Sequence, residues 1–341
     1  MSRRILTIIL SCVVATCITT PGLAAVSSPM DATAELHAAI EALKGHHLNR
    51  EKINWPSVES HAGLMIADKT QPADAYPAID YVLGQMGERH SFLRPALIAE
   101  ALRTGKPLGN GQRVGETTLP LAGRYPNDIL AINIPGHSGS QESDRTYATT
   151  LRSTLATARK IGICRVLIDL RWNGGGNMWP MLSGLAPLLG QEPYGYFSNS
   201  DGGETAWAIS SGTTIGTSGA YGIEQPNPDE AKALATAPVA VLIGPGTGSS
   251  GEFTAIAFRG RPNTMFFGAP TAGFVTANGT YALPDGAQLF IAQSWSSDRL
   301  HRPYRSAVVP DENTDAGQPT LDAGLAWLSR QNCAPGNTRP H

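Results

Sequence analysis

The chain has 341 residues, of which 26 are basic, 28 are acidic and 41% are hydrophobic, with a net charge of −2. This composition supplies enough apolar material for one large domain or two modest ones. Because no cluster of Lys and Arg occurs along the sequence, it lacks the basic surface that grips a phosphate backbone, and nucleic acid is not expected as a partner.

The first residues have the pattern of an export signal. Two arginines precede an apolar run at residues 5–18, and small residues follow up to Ala25. The run is shorter than the roughly 20 residues that cross a bilayer, so we expect cleavage near Ala24 or Ala25 rather than a retained anchor. The predicted signal peptide is therefore 1–25, and the mature protein is expected to be periplasmic or secreted, without stable membrane insertion.

Two of the four cysteines lie within this signal, which leaves Cys164 and Cys333 in the mature chain. An oxidising compartment permits a disulfide between them. Two separate buried thiols remain the alternative, because the sequence does not supply the separation of the Cα atoms.

The rest of the chain divides into two parts. Residues 26–90 contain apolar residues at helical spacing, such as Leu36, Ile40 and Leu43, and form a predicted N-terminal helical region. The residues between His90 and Asp128 are rich in Gly, Pro and Arg, which is typical of loops. The predicted core domain extends over 91–341.

Short apolar runs in the core domain alternate with helical patterns. Strands are predicted at 129–134, 166–170, 239–243, 265–267 and 289–292, and helices at 147–160, 178–189 and 252–258. Strands that alternate with helices indicate an α/β fold.

Three glycines, at 174–176, follow the predicted strand at 166–170 and precede a helix. A strand, a glycine turn and a helix start place free backbone N–H groups where an oxyanion or a phosphate is held. The spacing is not G-x-G-x-x-G, and no P-loop lysine follows. A nucleotide-binding loop is therefore disfavoured.

A second corner of small residues carries Ser249 and Ser250 between a predicted strand and a predicted helix. A serine at such a corner has an accessible hydroxyl and neighbouring amides that face a developing negative charge, as a nucleophile requires. The spacing of Ser249 and Glu252 also fits a capping box. This segment alone leaves both interpretations open.

His90 stands at the end of the helical region, in a His-Ser-Phe-Leu segment. Histidine is the usual general base for a serine nucleophile at neutral pH. A single histidine is more often structural, so this residue gains weight only in combination with the serine corner.

In combination and in this order, these segments resemble the tail-specific, or C-terminal processing, serine peptidase family. The motif D-L-R-x-N-x-G-G matches residues 169–176, a nucleophile corner of the T-A-S-A-A-E type matches 247–252, and L-P-D-G matches 283–286. The resemblance implies a ClpP/crotonase-like core of spiralling β-β-α units. It also implies Ser249 as the nucleophile, the amides of Gly175 and Ser250 as the oxyanion hole, a peptide or protein substrate, and no metal or organic cofactor.

The pattern departs from many members of that family, which use a Ser–Lys dyad. Phe274 occupies the place of the lysine and cannot accept a proton, and Asn278 replaces a Gln four residues later. The segment before the core is also too short for a PDZ domain. The chain therefore resembles a lysine-less branch, similar to the tricorn core and to retinoid-binding-protein-like members.

In that branch the base is a histidine on the N-terminal side, which His90 matches, with Ser91 and Asn278 as candidate orienting groups. Glu252 is the candidate acid that completes the relay. Asp285 and Asp311 are the alternative acids, and His137 is a competing base.

The predicted function is an exported serine peptidase that hydrolyses peptides or unfolded protein tails through an acyl-enzyme on Ser249. Two alternatives remain open on the sequence. Loss of the lysine and several Trp residues near loops fit a non-catalytic binding protein for an apolar ligand. The same nucleophile also suits a small-molecule esterase or amidase.

Overall fold

The computed structural model describes residues 31–110, 112, 118–209 and 234–332. The predicted signal peptide and Cys333 lie outside the described residues, whereas Cys164 is disulfide-bonded. Numbered in chain order, the helices are α1 (Ala32–His46), α2 (Trp55–Met65), α3 (Tyr76–Gly84), α4 (Ala96–Thr104), α5 (Gln141–Lys160), α6 (Met178–Leu189), α7 (Ser250–Phe258) and α8 (Gln318–Ser329). The strands are β1 (Phe92–Arg94), β2 (Leu121–Tyr125), β3 (Ile129–Asn133), β4 (Arg165–Asp169), β5 (Gly195–Asn199), β6 (Glu204–Ala206), β7 (Val239–Ile243), β8 (Thr264–Gly268), β9 (Thr276–Ala282), β10 (Gln288–Asp298), β11 (Pro303–Tyr304) and β12 (Glu312–Asn313).

One sheet has the strand order β12-β8-β7-β4-β3-β2 and is parallel except for the β2–β3 pair. Successive side chains of a strand point to opposite faces. Ile168 accordingly packs with α5, α6 and α7, whereas Leu167 packs with α8 on the other face. Burial on both faces explains why β7 is apolar along its whole length.

A second, antiparallel sheet is built around the long strand β10, which pairs with β1, β5, β9 and β11, while β5 also pairs with β6. The pairing of β9 with β10 shifts register between Ala292 and Ser294. Helices α1, α2 and α3 pack on this sheet, where Leu289 and Ile291 join their apolar cluster. The N-terminal helical region is thereby fixed to the sheet that carries β9 and β10.

The α/β fold and the small helical N-terminal region that the sequence predicts are confirmed. The prediction of loops between His90 and Asp128 is wrong in part, because β1, α4 and β2 lie there. β1 is a strand because Phe92, Leu93 and Arg94 pair with β10 almost 200 residues later, a long-range contact that local composition does not report. α4 ends at Gly105, whose φ of 67° suits a helix C-terminus.

Candidate active site

Ser249 sits at a sharp corner between the end of β7 and the start of α7. Its φ of 50° and ψ of −120° lie in a region that non-glycine residues rarely adopt. The corner is held from both sides, because the Gly248 amide donates to Asn173 O at 2.9 Å and the Phe253 amide donates to Ser249 O at 3.0 Å. Backbone strain of this kind persists where surrounding bonds determine the conformation, as at nucleophile corners.

The His90 side chain lies directly against this serine. Its Nε2 is 2.9 Å from Ser249 Oγ, and its Nδ1 is 2.9 Å from Thr276 Oγ1. When the threonine oxygen accepts from Nδ1–H, the lone pair of Nε2 faces the serine hydroxyl. This is the tautomer that can take a proton from Ser249.

The surroundings of His90 are mostly apolar. Phe274 stacks on the imidazole with ring centroids 5.3 Å apart and an angle of 22° between the planes. Burial lowers the pKa of His90, while the charge of Glu88 and the hydrogen bond at Thr276 act in the opposite direction. The imidazole is therefore held neutral at neutral pH, as a general base must be.

Two predicted orienting residues hold the main chain around His90 rather than its ring. The side-chain amide of Asn278 donates to His90 O at 2.7 Å, and the Ala292 amide donates to Ser91 Oγ at 2.9 Å. Asn278 and Ala292 are paired residues of β9 and β10. The His90 segment is thereby fixed to the second sheet at the place where its register shifts.

Glu252 does not contact His90 in the structure. Its buried carboxylate accepts from the amides of Ser249 at 2.9 Å and Gly273 at 2.8 Å, and from Thr271 Oγ1 at 2.5 Å. Burial raises its pKa, and the same three bonds together with the amide of Phe274 oppose that rise. The structure therefore places Glu252 at the helix cap that the S-x-x-E spacing indicates, where it braces the serine corner.

The glycine turn packs directly against the serine corner. A Cβ on Gly175 would lie 2.8 Å from Ser249 Cβ, and one on Gly176 would overlap the carbonyl oxygen of His137, so both positions require glycine at their φ values of 116° and 112°. The Gly175 amide donates to Asn173 Oδ1 at 3.0 Å. Within the described residues, the Ser250 amide has no hydrogen-bond partner.

The competing candidates lie in other networks. His137 is buried, and its Nε2 is 2.6 Å from Asp144 Oδ1. Asp285 accepts from the hydroxyl of Tyr76 at 2.5 Å, and Asp311 pairs with Arg259 at 2.6 Å. The structure brings none of these three candidates into hydrogen-bond contact with Ser249 or His90.

Thr276 is the residue beside His90 that the sequence interpretation missed. Thr276 and Asn278 are two residues apart on strand β9, so their side chains lie on the same face of the sheet. Once Asn278 is taken as a candidate orienting group, this two-residue spacing in the sequence also indicates Thr276. Glu88, two residues before His90, was missed as well.

Two further structural observations concern cofactors and membranes. In the part of the chain that the structure describes, no group of three or more His, Cys, Asp or Glu residues is arranged to hold a metal ion. Among the same residues, no helix has the length and apolar character needed to cross a bilayer.

Known proteins share both sequence and fold with this chain. The nisin-resistance protein of Lactococcus lactis subsp. lactis is 33% identical over 205 residues, which are 60% of this chain and 61% of that relative. The chain thus matches about three fifths of that relative's length.

Solved structures match over most of the chain. A lipoprotein from Streptococcus agalactiae has a TM-score of 0.72 at 23% identity, and the photosystem II D1 C-terminal processing protease has a TM-score of 0.58 at 14% identity. Each match covers 88% of this chain and 97% of the other. At these identities the two matches show a common fold.

The model of Peptidase family S41 matches residues 128–313, which are more than half of the chain. The match includes the glycine turn, the serine corner and the L-P-D-G segment on which the sequence resemblance rests. That resemblance to C-terminal processing peptidases is confirmed, and the chain belongs to peptidase family S41.

Proposed function

We propose that this protein is an exported serine peptidase that hydrolyses peptide bonds of peptides or unfolded protein tails through an acyl-enzyme on Ser249. The observation that carries the proposal is the 2.9 Å contact between His90 Nε2 and Ser249 Oγ. A serine hydroxyl is a weak nucleophile at neutral pH until a neighbouring base accepts its proton. The neutral, partly buried imidazole of His90 supplies that base.

In the acylation step, Ser249 Oγ attacks the peptide carbonyl carbon while its proton passes to His90 Nε2. The tetrahedral intermediate then collapses, the C–N bond breaks, and His90 returns the proton to the leaving amine. The products of this step are an ester on Ser249 and the free amine of the C-terminal fragment.

Deacylation repeats the same proton transfers with water. His90 Nε2 takes a proton from a water molecule, whose oxygen attacks the ester carbonyl of the acyl-enzyme. Collapse of this second intermediate breaks the bond to Ser249 Oγ, and the proton on His90 restores the serine hydroxyl. The peptide leaves with a new carboxyl end.

The proposed oxyanion hole consists of the amides of Ser250 and Gly175. The Ser250 amide lies at the start of α7, next to the nucleophile, where it needs no exchange of partner to meet an oxyanion. The Gly175 amide must exchange its bond to Asn173 Oδ1 for one to the oxyanion. The packing of Gly175 against the β-carbon of Ser249 supports a position beside the reacting carbonyl.

No carboxylate completes the relay in this proposal. Thr276 instead accepts from Nδ1–H and holds the imidazole plane, while Phe274 covers one face of the ring. Glu252 acts indirectly, because it fixes the amide of Ser249 and so the direction of the hydroxyl.

Export is part of the proposal and rests on the pattern of the first 25 residues. The similarity to a lipoprotein and to a nisin-resistance protein supports a place at or outside the cell envelope. Mass spectrometry of the exported protein should show an N-terminus at Ala25 or Val26. An intact Met1 on a membrane-bound product would refute the cleavage.

A substrate screen tests the activity. Purified protein, Ser249→Ala and the control Ser329→Ala, which changes an exposed serine on α8, should be incubated with unstructured peptides, with nisin and with small esters. We expect peptide fragments from the wild type and the control, and none from Ser249→Ala. Turnover of esters alone would indicate an esterase, and tight binding of apolar ligands without turnover would indicate a binding protein.

A further inference from the structure

Glu88 is two residues before His90 in the chain, and its carboxylate is surrounded by donors from two segments. Oε2 accepts from the His90 amide at 2.5 Å, and both oxygens accept from the Ser91 amide, at 3.1 and 3.2 Å. Oε1 also lies 3.2 Å from Nε2 of His47. The carboxylate therefore fixes the main chain on both sides of the proposed base's own Cα atom.

His47 holds this carboxylate from the N-terminal helical region. It follows α1 as the C-cap residue, and it is fully buried. Its Nδ1 accepts from the Asn49 amide at 3.0 Å, so the ring hydrogen is on Nε2 and is donated to Glu88. Asn49 thus determines which ring nitrogen of His47 carries the hydrogen, and that N–H group binds Glu88.

The residues after His47 extend this attachment. The side chain of Asn49 donates to Met86 O at 2.9 Å, and the Leu48 amide donates to Ala292 O at 2.9 Å. Ala292 in turn donates to Ser91. Residues 47–49 therefore join the segment that carries His90 to the strand on which that segment rests.

The charge of Glu88 acts on His90 as well. Burial raises the pKa of Glu88, but the bonds from His47, Ser91 and the His90 amide outweigh it and lower this pKa to about 2. The carboxylate is ionised at neutral pH, and it raises the pKa of His90 against the effect of burial. The other groups in contact with the imidazole are the neutral side chains of Ser249, Thr276 and Phe274.

We propose that Glu88, held in place by His47, is a positioning residue that orients His90 and stabilises its protonated form during turnover. The inference rests on the proposed function, because it assigns His90 the role of base. It gives the N-terminal helical region a part in the reaction, since His47 ends the first helix of that region. Because Thr276 occupies Nδ1, the carboxylate of Glu88 does not bond to the imidazole. It binds the main-chain amide of His90, and its negative charge acts on the ring from a distance.

The main test compares the full chain with Glu88→Gln, His47→Gln and the control Glu51→Gln, whose side chain is 88% exposed. Gln at position 88 keeps the shape and one acceptor but removes the charge. We expect kcat on a cleaved peptide to fall by roughly tenfold or more in Glu88→Gln, with KM changed by less than about twofold. The midpoint of the acidic limb of kcat/KM should move to lower pH, because the imidazole has lost a nearby negative charge.

His47→Gln should lower kcat by a smaller factor and leave the acidic limb near its wild-type position, because the charge of Glu88 remains. Glu51→Gln should match the wild type both in kcat and in the position of the acidic limb. An unchanged acidic limb in Glu88→Gln, or a loss of activity explained by unfolded protein, would overturn the proposal. Replacement of a residue with a purely structural role would not shift the midpoint of the acidic limb.

A second measurement does not depend on activity. An NMR titration of the His90 ring in Ser249→Ala, with and without Glu88→Gln, should give a lower His90 pKa when the carboxylate is removed. An equal or higher value would contradict the inference even if peptide cleavage is found. If the titration shifts as expected but no peptide or ester is cleaved, the proposed function fails while the electrostatic link between Glu88 and His90 stands.

Discussion

Nε2 of His90 lies 2.9 Å from Oγ of Ser249, although 159 residues separate the two in the chain. The contact joins two sheets, because His90 is attached to β9 and β10, whereas Ser249 ends the loop that follows β7. A pair held from independent elements has a geometry set by the packing of the whole domain. This is the arrangement that a serine nucleophile and its base require.

Replacement of His90 tests its role as the base. His90→Ala should lower kcat by on the order of a thousandfold or more and leave KM nearly unchanged, because proton transfer is lost while the substrate surface remains. His301→Ala is the matched control, since that imidazole is more than half exposed and stacks on Tyr196. Near-normal turnover of His90→Ala would exclude this residue as the base.

The pH dependence of activity should reflect the burial of His90. Burial lowers its pKa below the usual 6.5, although Glu88 and Thr276 oppose that change. Only the neutral imidazole accepts a proton, so kcat/KM should rise with pH through one ionisation below 6.5 and then level off. A pH series with a peptide substrate measures this. A rise centred above pH 7 would be inconsistent with the partly buried imidazole of His90 as the base.

Glu252 should matter for stability and for the serine corner, but not for the ionisation of the base. Glu252→Gln replaces one acceptor oxygen by an NH₂ group that faces bound donors, and should cost about 1–3 kcal/mol in the free energy of unfolding. Urea denaturation measures that cost. The acidic limb of kcat/KM should keep its wild-type position, and a clear shift of the limb would instead restore Glu252 as a partner of His90.

The helical region contains a carboxyl group that should make stability depend on pH. Glu35 of α1 is fully buried, and burial together with Asp285 raises its pKa to about 7. The unfolded chain ionises near 4.5, so this group lowers stability progressively as pH rises from about 4.5 to 7, and the loss is complete above 7.

Glu35→Gln removes that dependence. At pH 8 the variant should be more stable than the wild type by on the order of 1–3 kcal/mol, and the difference should shrink towards pH 5. Urea unfolding of both proteins at the two pH values measures it. If the free energy of unfolding depends on pH equally in the two proteins, burial does not raise the pKa of Glu35.

The parallel sheet could be predicted from the sequence because its strands are buried on both faces. β7 and its neighbours read as continuous apolar runs, and the predicted bounds at 239–243 agree with the structure. β1 could not be predicted in this way. It has three residues, and it exists because Phe92 and its neighbours pair with a strand far along the chain.

The candidate site likewise contains residues that local sequence indicates and residues that only the fold brings together. Ser249 and His90 could be found because a corner of small residues and a histidine form part of a family pattern, but their contact could not be derived from local sequence. Thr276 and Glu88 carry no such pattern. Their roles depend on which atoms β9 and α1 bring to the imidazole, which only the packed structure shows.

Covalent labelling with a fluorophosphonate, followed by mapping of the modified peptide, tests whether Ser249 is the nucleophile. We expect one adduct per chain, located on Ser249. It should be lost in Ser249→Ala and largely kept in Ser250→Ala, since the Ser250 hydroxyl donates to Gly176 O. Stoichiometric labelling of Ser249→Ala, or an adduct mapped to Ser250 in the wild type, would contradict this assignment.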